Sequence, residues 1–130
     1  WSGEILLVGD EPSLPYQRPP LSKTFLAGTS TLDELLIRKP EFYGKQEVTF
    51  RQARVTAITR SARTVELADG GALTYDHLVL CLGARPRRLS LPGSDLAGVH
   101  YLRDAADIGG DYRNAGGGRL DHDIGHRIPA

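Results

Sequence analysis

The sequence predicts an α/β fold, in which a parallel sheet presents a ligand edge at the carboxyl ends of its strands and carries a small antiparallel β element. Three observations predict it. Glu4-Ile5-Leu6-Leu7-Val8-Gly9-Asp10 and Leu78-Val79-Leu80-Cys81-Leu82-Gly83 are nearly continuous apolar runs ending in glycine, the pattern of strands covered on both faces. Asp69-Gly70-Gly71 separates Val65-Glu66-Leu67 from Leu73-Thr74-Tyr75, a hairpin signal because glycine accepts the positive φ that tight turns require. Pro12, Pro15, Pro19 and Pro20 follow the first strand and forbid both a central strand and an unbroken helix, so a stiff loop leaves the strand's carboxyl end.

The remaining elements follow in chain order. Leu21 to Ala27 reads as a short helix, with Pro20 near its first turn and Gly28 as its stop. Thr31 is a candidate N-cap, with Glu34 three residues on to complete a capping box and Leu32, Leu35 and Leu36 as the apolar face. Pro40 ends that turn and opens a second helix to Gln46. Val48 to Phe50, Arg54 to Arg60 and Thr64 to Leu67 are strand candidates, with Val55, Ala57 and Ile58 expected to be buried. Tyr75-Asp76-His77 leads into the second apolar strand, which stops at the cationic loop Gly83-Ala84-Arg85-Pro86-Arg87-Arg88. Leu91-Pro92-Gly93 marks a turn, Val99 to Leu102 a short strand, and Arg103 to Asp107 the start of a helix. The last 22 residues hold six of the 15 glycines and show no periodicity, so 108–130 is expected to be an irregular, disordered tail.

Composition narrows the function. At 130 residues the chain is about one small domain. Sixteen Lys+Arg balance sixteen Asp+Glu for a net charge of +0, which provides no global field for nucleic acid or an anionic membrane. Cys81 is the only cysteine, which excludes an internal disulfide framework, a CxxC redox pair and a cysteine-rich zinc site. No apolar run approaches the roughly 20 residues that span a bilayer, and no signal-peptide pattern opens the chain. A cytoplasmic protein is expected. The chain has no methionine and starts Trp1-Ser2-Gly3, which reads as a fragment whose N-terminus lies upstream.

The chemistry concentrates at two strand ends. Asp10 and Glu11 stand where doubly wound folds place a carboxylate on the ribose hydroxyls of a nucleotide, and where an ordinary turn carboxylate would also stand. Arg18 and Lys23 are cations on the proline-braced loop, suited to a pyrophosphate or an electron-rich ring because bracing lowers the ordering cost of binding; solvated surface cations are the alternative. Arg85, Arg87 and Arg88 follow the second strand, and the expectation is one arginine on a phosphate and two in solvent. No aromatic residues interleave with them as a nucleic-acid surface requires. Cys81 reads as a small core residue. His122 and His126 lack a helical face to make a metal site, and Gly116-Gly117-Gly118 lacks the preceding strand of a phosphate loop.

Taken together, Val8-Gly9-Asp10-Glu11, Tyr16-Gln17-Arg18-Pro19-Pro20-Leu21-Ser22-Lys23, Val55-Thr56-Ala57-Ile58, Leu67-Ala68-Asp69-Gly70 and Leu78 to Arg87 closely resemble the FAD-dependent NAD(P)H:ferredoxin reductases. The resemblance covers residues 1–107 and rests most heavily on the RPPLSK string. It implies a glutathione-reductase-like architecture, here a partial FAD-binding Rossmann-type domain over 1–107 without its first strand and GxGxxG loop, followed by a tail foreign to the family. It further implies FAD as cofactor, NAD(P)H as substrate and a [2Fe–2S] ferredoxin as partner of the intact oxidoreductase, the fragment alone being inactive. Asp10 matches the acid on the adenosine ribose. Arg18 and Lys23 match FAD contacts, Lys23 beside the flavin ring. Val55 matches the residue whose backbone meets the adenine. Gly83 keeps the glycine of the family's ATG-like turn, and Arg87 matches the arginine after it. No catalytic residue and no metal ligand is assigned. The alternatives are an apoptosis-inducing-factor-like flavoprotein and a non-catalytic remnant unable to hold FAD alone.

Overall fold

Ile5–Gly9 forms strand β1, and its partner comes from 39 residues further along the chain, Val48–Gln52 (β2). The two run parallel, in a register from Ile5 opposite Val48 to Gly9 opposite Gln52. The Ala53 N–H donates to the Gly9 carbonyl at 2.8 Å and carries the ladder one step beyond the strands. Parallel strands need a long crossover. Residues 10–47 supply it, and this crossover bears Asp10, Glu11, Arg18 and Lys23. The computed structural model describes residues 2–109, and the chain divides into two units between Arg85 and Pro86.

In the crossover the proline-braced loop is pinned by a short antiparallel bridge between Tyr16 and Leu36. The Gln17 N–H donates to the Leu35 carbonyl and the Ile37 N–H to the Pro15 carbonyl, each at 2.9 Å. Leu32–Leu35 (α1) begins as expected, the Thr31 N–H donating to Glu34 Oε2 at 2.7 Å to form the capping box. Pro40–Lys45 (α2) follows, with proline in the first turn, where its missing N–H costs nothing.

The helix expected over Leu21 to Ala27 is corrected. Pro19–Ser22 forms a single 3-10 turn, and the chain continues as turns to Gly28, which takes φ +70°. The Pro20 carbonyl accepts both the Lys23 and Phe25 N–H groups, and Lys23 leaves the helical region at φ −129°, ψ −107°. The helix cannot propagate through that residue. Burial is concentrated here: Leu21 is 2 % exposed, and Tyr16, Phe25 and Leu35 are also buried.

Val55–Thr59 (β3), Thr64–Leu67 (β4) and Ala72–Thr74 (β5) make an antiparallel sheet in the order β3-β4-β5. Gly70 takes φ +83° in the β4–β5 turn. In the central strand Val65 and Leu67 are buried and Glu66 is exposed, the alternation of a sheet with one covered face. The expected burial of Val55, Ala57 and Ile58 is corrected: all of β3 is exposed, because it is an edge strand interrupted by an irregular register between Val55 and Ala57.

The largest correction concerns Leu78 to Gly83. This run forms no strand, Val79 is 81 % and Leu82 77 % exposed, and Cys81 is an exposed thiol rather than a core residue. The parallel sheet contains only β1 and β2, so no described strand offers this apolar run a ladder or a covering layer. For the same reason β1 is not covered on both faces: Ile5 and Leu6 are exposed.

In the second unit, Gly93 and Gly98 take positive φ at turns, and the Tyr101 hydroxyl accepts the Leu89 N–H at 2.9 Å beneath the Arg88 guanidinium. Val99 to Leu102 is not a strand. The helix start expected at Arg103 is realised three residues later as Ala106–Gly109 (α3). The Asp107 carboxylate accepts the N–H groups of Arg103 and Asp104, and Asp104 accepts those of Ala106 and Asp107. Ile108 is buried. The expectations for the glycine-rich tail, His122, His126 and Gly116 to Gly118 lie outside the described residues.

Candidate functional site

The site grows from the carboxyl end of β1, where Gly9 ends the strand and Asp10 and Glu11 follow in opposite roles. Asp10 faces solvent, its side chain 63 % exposed and its Oδ2 lying 3.9 Å from Arg54 Nη1. Gln52 Nε2 donates to the Asp10 carbonyl at 3.4 Å. Arg54 immediately precedes β3, so the parallel pairing brings Asp10 to the edge where Val55 begins its strand. An ion pair this exposed contributes only about 0–1 kcal/mol, which leaves the Asp10 carboxylate able to exchange Arg54 or water for ligand hydroxyls.

Glu11 turns the other way. Its Oε2 accepts the Tyr16 hydroxyl at 2.5 Å, and its Oε1 accepts Arg18 Nη2 in a salt bridge. The Arg18 guanidinium also lies 4.8 Å from the centroid of the Tyr16 ring, a cation–π contact. Tyr16 is only 6 % exposed, so the clasp sits on a buried aromatic side chain. Sequence reasoning missed it. Glu11, Tyr16 and Arg18 are five and two residues apart in a segment with no helical or strand period, and only the backbone path of the loop makes them meet.

Lys23 is exposed at the end of the 3-10 turn, its N–H donating to the Pro20 carbonyl. Gly83 takes φ +63°, a conformation that favours glycine, in the exposed segment after Leu82. Arg87 is exposed in the second unit, as are Arg85 in the first and Arg88, which stacks on Tyr101 at 5.0 Å. The fold thus joins Asp10 to the start of β3 and Glu11 to Arg18, with Lys23 one turn beyond the same loop.

A further carboxylate, Asp69, is structural. Asp69 Oδ1 accepts the Gly71 N–H at 2.8 Å and Oδ2 accepts Arg51 Nη2 at 3.1 Å, tying β2 to the hairpin turn. These contacts hold its pKa below the ordinary aspartate value, the Gly71 backbone hydrogen bond being the larger stabilising cause and Arg51 the next. Among the described residues, no group of three His, Cys, Asp or Glu side chains is placed to hold a metal ion, and no helix is long and apolar enough to cross a membrane.

This donor set suits a dinucleotide. A solvent-facing carboxylate at a parallel strand's end matches vicinal ribose hydroxyls, a strand-end backbone lies beside it, and two cations on a braced loop match pyrophosphate or ring oxygens.

The family model described as pyridine nucleotide-disulphide oxidoreductase matches residues 1–115. Rhodocoxin reductase of Rhodococcus erythropolis is 47 % identical over 108 residues, covering 82 % of this chain and 25 % of the relative. Putidaredoxin reductase of Pseudomonas putida is 42 % identical over 111 residues, covering 82 % of this chain and 26 % of that protein. Among solved structures, the ferredoxin reductase for the CYP199A2 system of Rhodopseudomonas palustris superposes with a TM-score of 0.77 at 39 % identity, over 87 % of this chain and 28 % of that one. The covalent putidaredoxin reductase–putidaredoxin complex superposes with a TM-score of 0.74 at 42 % identity, over 88 % of this chain and 28 % of its counterpart. The chain therefore spans about a quarter of the length of the curated relatives it matches.

Proposed function

From the premise that the chain belongs to the pyridine nucleotide-disulphide oxidoreductase family, we infer that it supplies one wall of the FAD site of an NAD(P)H:ferredoxin oxidoreductase. The observation that carries the reading is the parallel β1–β2 pair with Asp10 exposed at its carboxyl end beside Arg54 and the start of β3. That edge is where open α/β sheets bind nucleotides.

In this reading Asp10 accepts hydrogen bonds from the adenosine ribose hydroxyls, and the Val55 backbone meets the adenine. Arg18 and Lys23 hold the flavin half from the braced loop, while Gly83 contributes from the segment after Leu82. When bound, FAD supplies the ability to take two electrons as a hydride from NAD(P)H and release them singly to a [2Fe–2S] ferredoxin. The residues of this chain bind and orient it. The names of the relatives, which include ferredoxin reductases and a reductase solved with its putidaredoxin, support the choice of partner.

The test is a titration of the 130-residue chain with FAD, followed residue by residue through its amide NMR signals. Shifts concentrated at Asp10, Arg18, Lys23 and Val55 are expected, with weak affinity because one wall of a site gives only part of its contacts. Silence of these signals up to millimolar FAD refutes the reading. It would favour instead a non-catalytic remnant, for which the exposed Leu78 to Leu82 run is the supporting observation. The redox role is tested separately: a protein containing this segment should reduce a ferredoxin at the expense of NADH or NADPH.

A further inference from the structure

We propose that Glu11 is the positioning residue of the proline-braced loop: by holding the Arg18 guanidinium over Tyr16, it sets the affinity of that loop for FAD. The proposal rests on the FAD reading above and adds to it a residue that would not itself touch the cofactor.

Two adjacent carboxylates leave β1, and the structure gives them different work. Asp10 is exposed and paired loosely with Arg54 at 3.9 Å. Glu11 has a side chain only 27 % exposed, and both of its oxygens are engaged, Oε1 by Arg18 and Oε2 by Tyr16. Bonds between a carboxylate and a guanidinium or phenol are charge-assisted and directional. A guanidinium is a rigid plane with five donors, so fixing it at Nη2 and across a ring face also fixes the direction of its remaining edges.

The anchor beneath it is firm. Tyr16 is 6 % exposed and forms the backbone bridge to Leu36, while the Arg18 carbonyl accepts the Leu21 N–H at 2.9 Å and so opens the 3-10 turn that presents Lys23. Glu11 therefore links the end of β1 to the loop that carries both cations. Without it, Arg18 keeps its charge and its contact with the Tyr16 ring but loses its carboxylate partner, and binding must then order more of a long side chain. The roles separate cleanly: Asp10 addresses the ribose end directly, and Glu11 acts on the flavin end through Arg18.

The experiment compares Glu11→Gln, Tyr16→Phe and Asp10→Asn with the wild-type 130-residue chain in the FAD titration, reading amide signals and the Arg18 Nε–Hε signal. Glu11→Gln should weaken FAD about tenfold, the worth of one charge-assisted hydrogen bond. It should move the Arg18 side-chain signal toward that of an unstructured arginine before FAD is added, and reduce the FAD response at Arg18 more than that at Asp10. Asp10→Asn should show the reverse split, losing affinity with the Arg18 signal unchanged. Tyr16→Phe keeps the ring and removes one anchor of Glu11, so its effect should be in the same direction and smaller, about threefold.

A folded Glu11→Gln protein with wild-type affinity and an unmoved Arg18 signal overturns the proposal. If Glu11→Gln loses its circular dichroism, Tyr16→Phe decides in its place, and wild-type affinity in that folded variant overturns the proposal equally. A wild-type chain silent to FAD removes the FAD reading and this proposal together, whereas wild-type binding left unaltered by Glu11→Gln and Tyr16→Phe but weakened by Asp10→Asn removes the proposal alone.

Discussion

Replacing Leu21 and Val79 by alanine in parallel measures where the hydrophobic stability of this chain resides. Leu21 is 2 % exposed and Val79 is 81 % exposed, although Leu21 stands in a polar, proline-rich stretch and Val79 in an apolar run. Leu21→Ala removes three buried carbons at about 0.8 kcal/mol each and leaves a cavity, for a loss of about 3 kcal/mol. That is roughly a hundredfold in the unfolding equilibrium, and a fall of about 1–3 M in the urea midpoint at ordinary m-values. Val79→Ala removes two carbons already largely in water and should cost about 0.3 kcal/mol. Equilibrium urea unfolding followed by far-UV circular dichroism reads both. If Val79→Ala costs as much as Leu21→Ala, the Leu78 to Leu82 run is packed in solution and its exposure is refuted. If Leu21→Ala stays within about 0.5 kcal/mol of wild type, the crossover is not the core described here.

Two further outcomes follow from the antiparallel sheet. Because the folded-state pKa of Asp69 is lowered from 3.8, its contribution to stability is fully present above that value and lost as pH falls through the lower folded one. The advantage of wild type over Asp69→Asn in urea midpoint should therefore hold near neutral pH and vanish in acid, and an advantage that persists at the lowest pH would contradict the assignment. Gly70→Ala should cost about 1–2 kcal/mol in the same urea assay. The cause is conformational, since Gly70 sits at φ +83° with nothing within 4 Å of the place an added methyl group would take, and a neutral substitution would mean that the turn has another geometry.

Local structure was legible wherever it depends on neighbours in the chain. Thr31 and Glu34 form the capping box their spacing announces, Pro40 opens α2, and Asp69-Gly70-Gly71 turns β4 into β5. The Leu21 to Ala27 helix failed because Pro20 and the broken dihedrals of Lys23 divert the hydrogen bonds that would have propagated it. Of the proposed site, Asp10, Arg18 and Lys23 could be nominated from their positions after a strand and among prolines. The clasp that joins Glu11, Tyr16 and Arg18 could not, because an irregular loop has no period from which to read a meeting of side chains.

By itself, the sequence determined the strand-ending carboxylates, the stiffness of the proline loop and the turn chemistry, since φ restrictions and capping hydrogen bonds act over a few residues. The tertiary structure alone decided which apolar residues are buried and which charges are paired. Leu78 to Leu82 carries the composition of an inner strand yet lies exposed, and Leu21, in a polar and proline-rich stretch, is among the most buried residues described. Burial belongs to the pair of surfaces that meet, and a strand pattern becomes a strand only when another strand is present to share its hydrogen bonds.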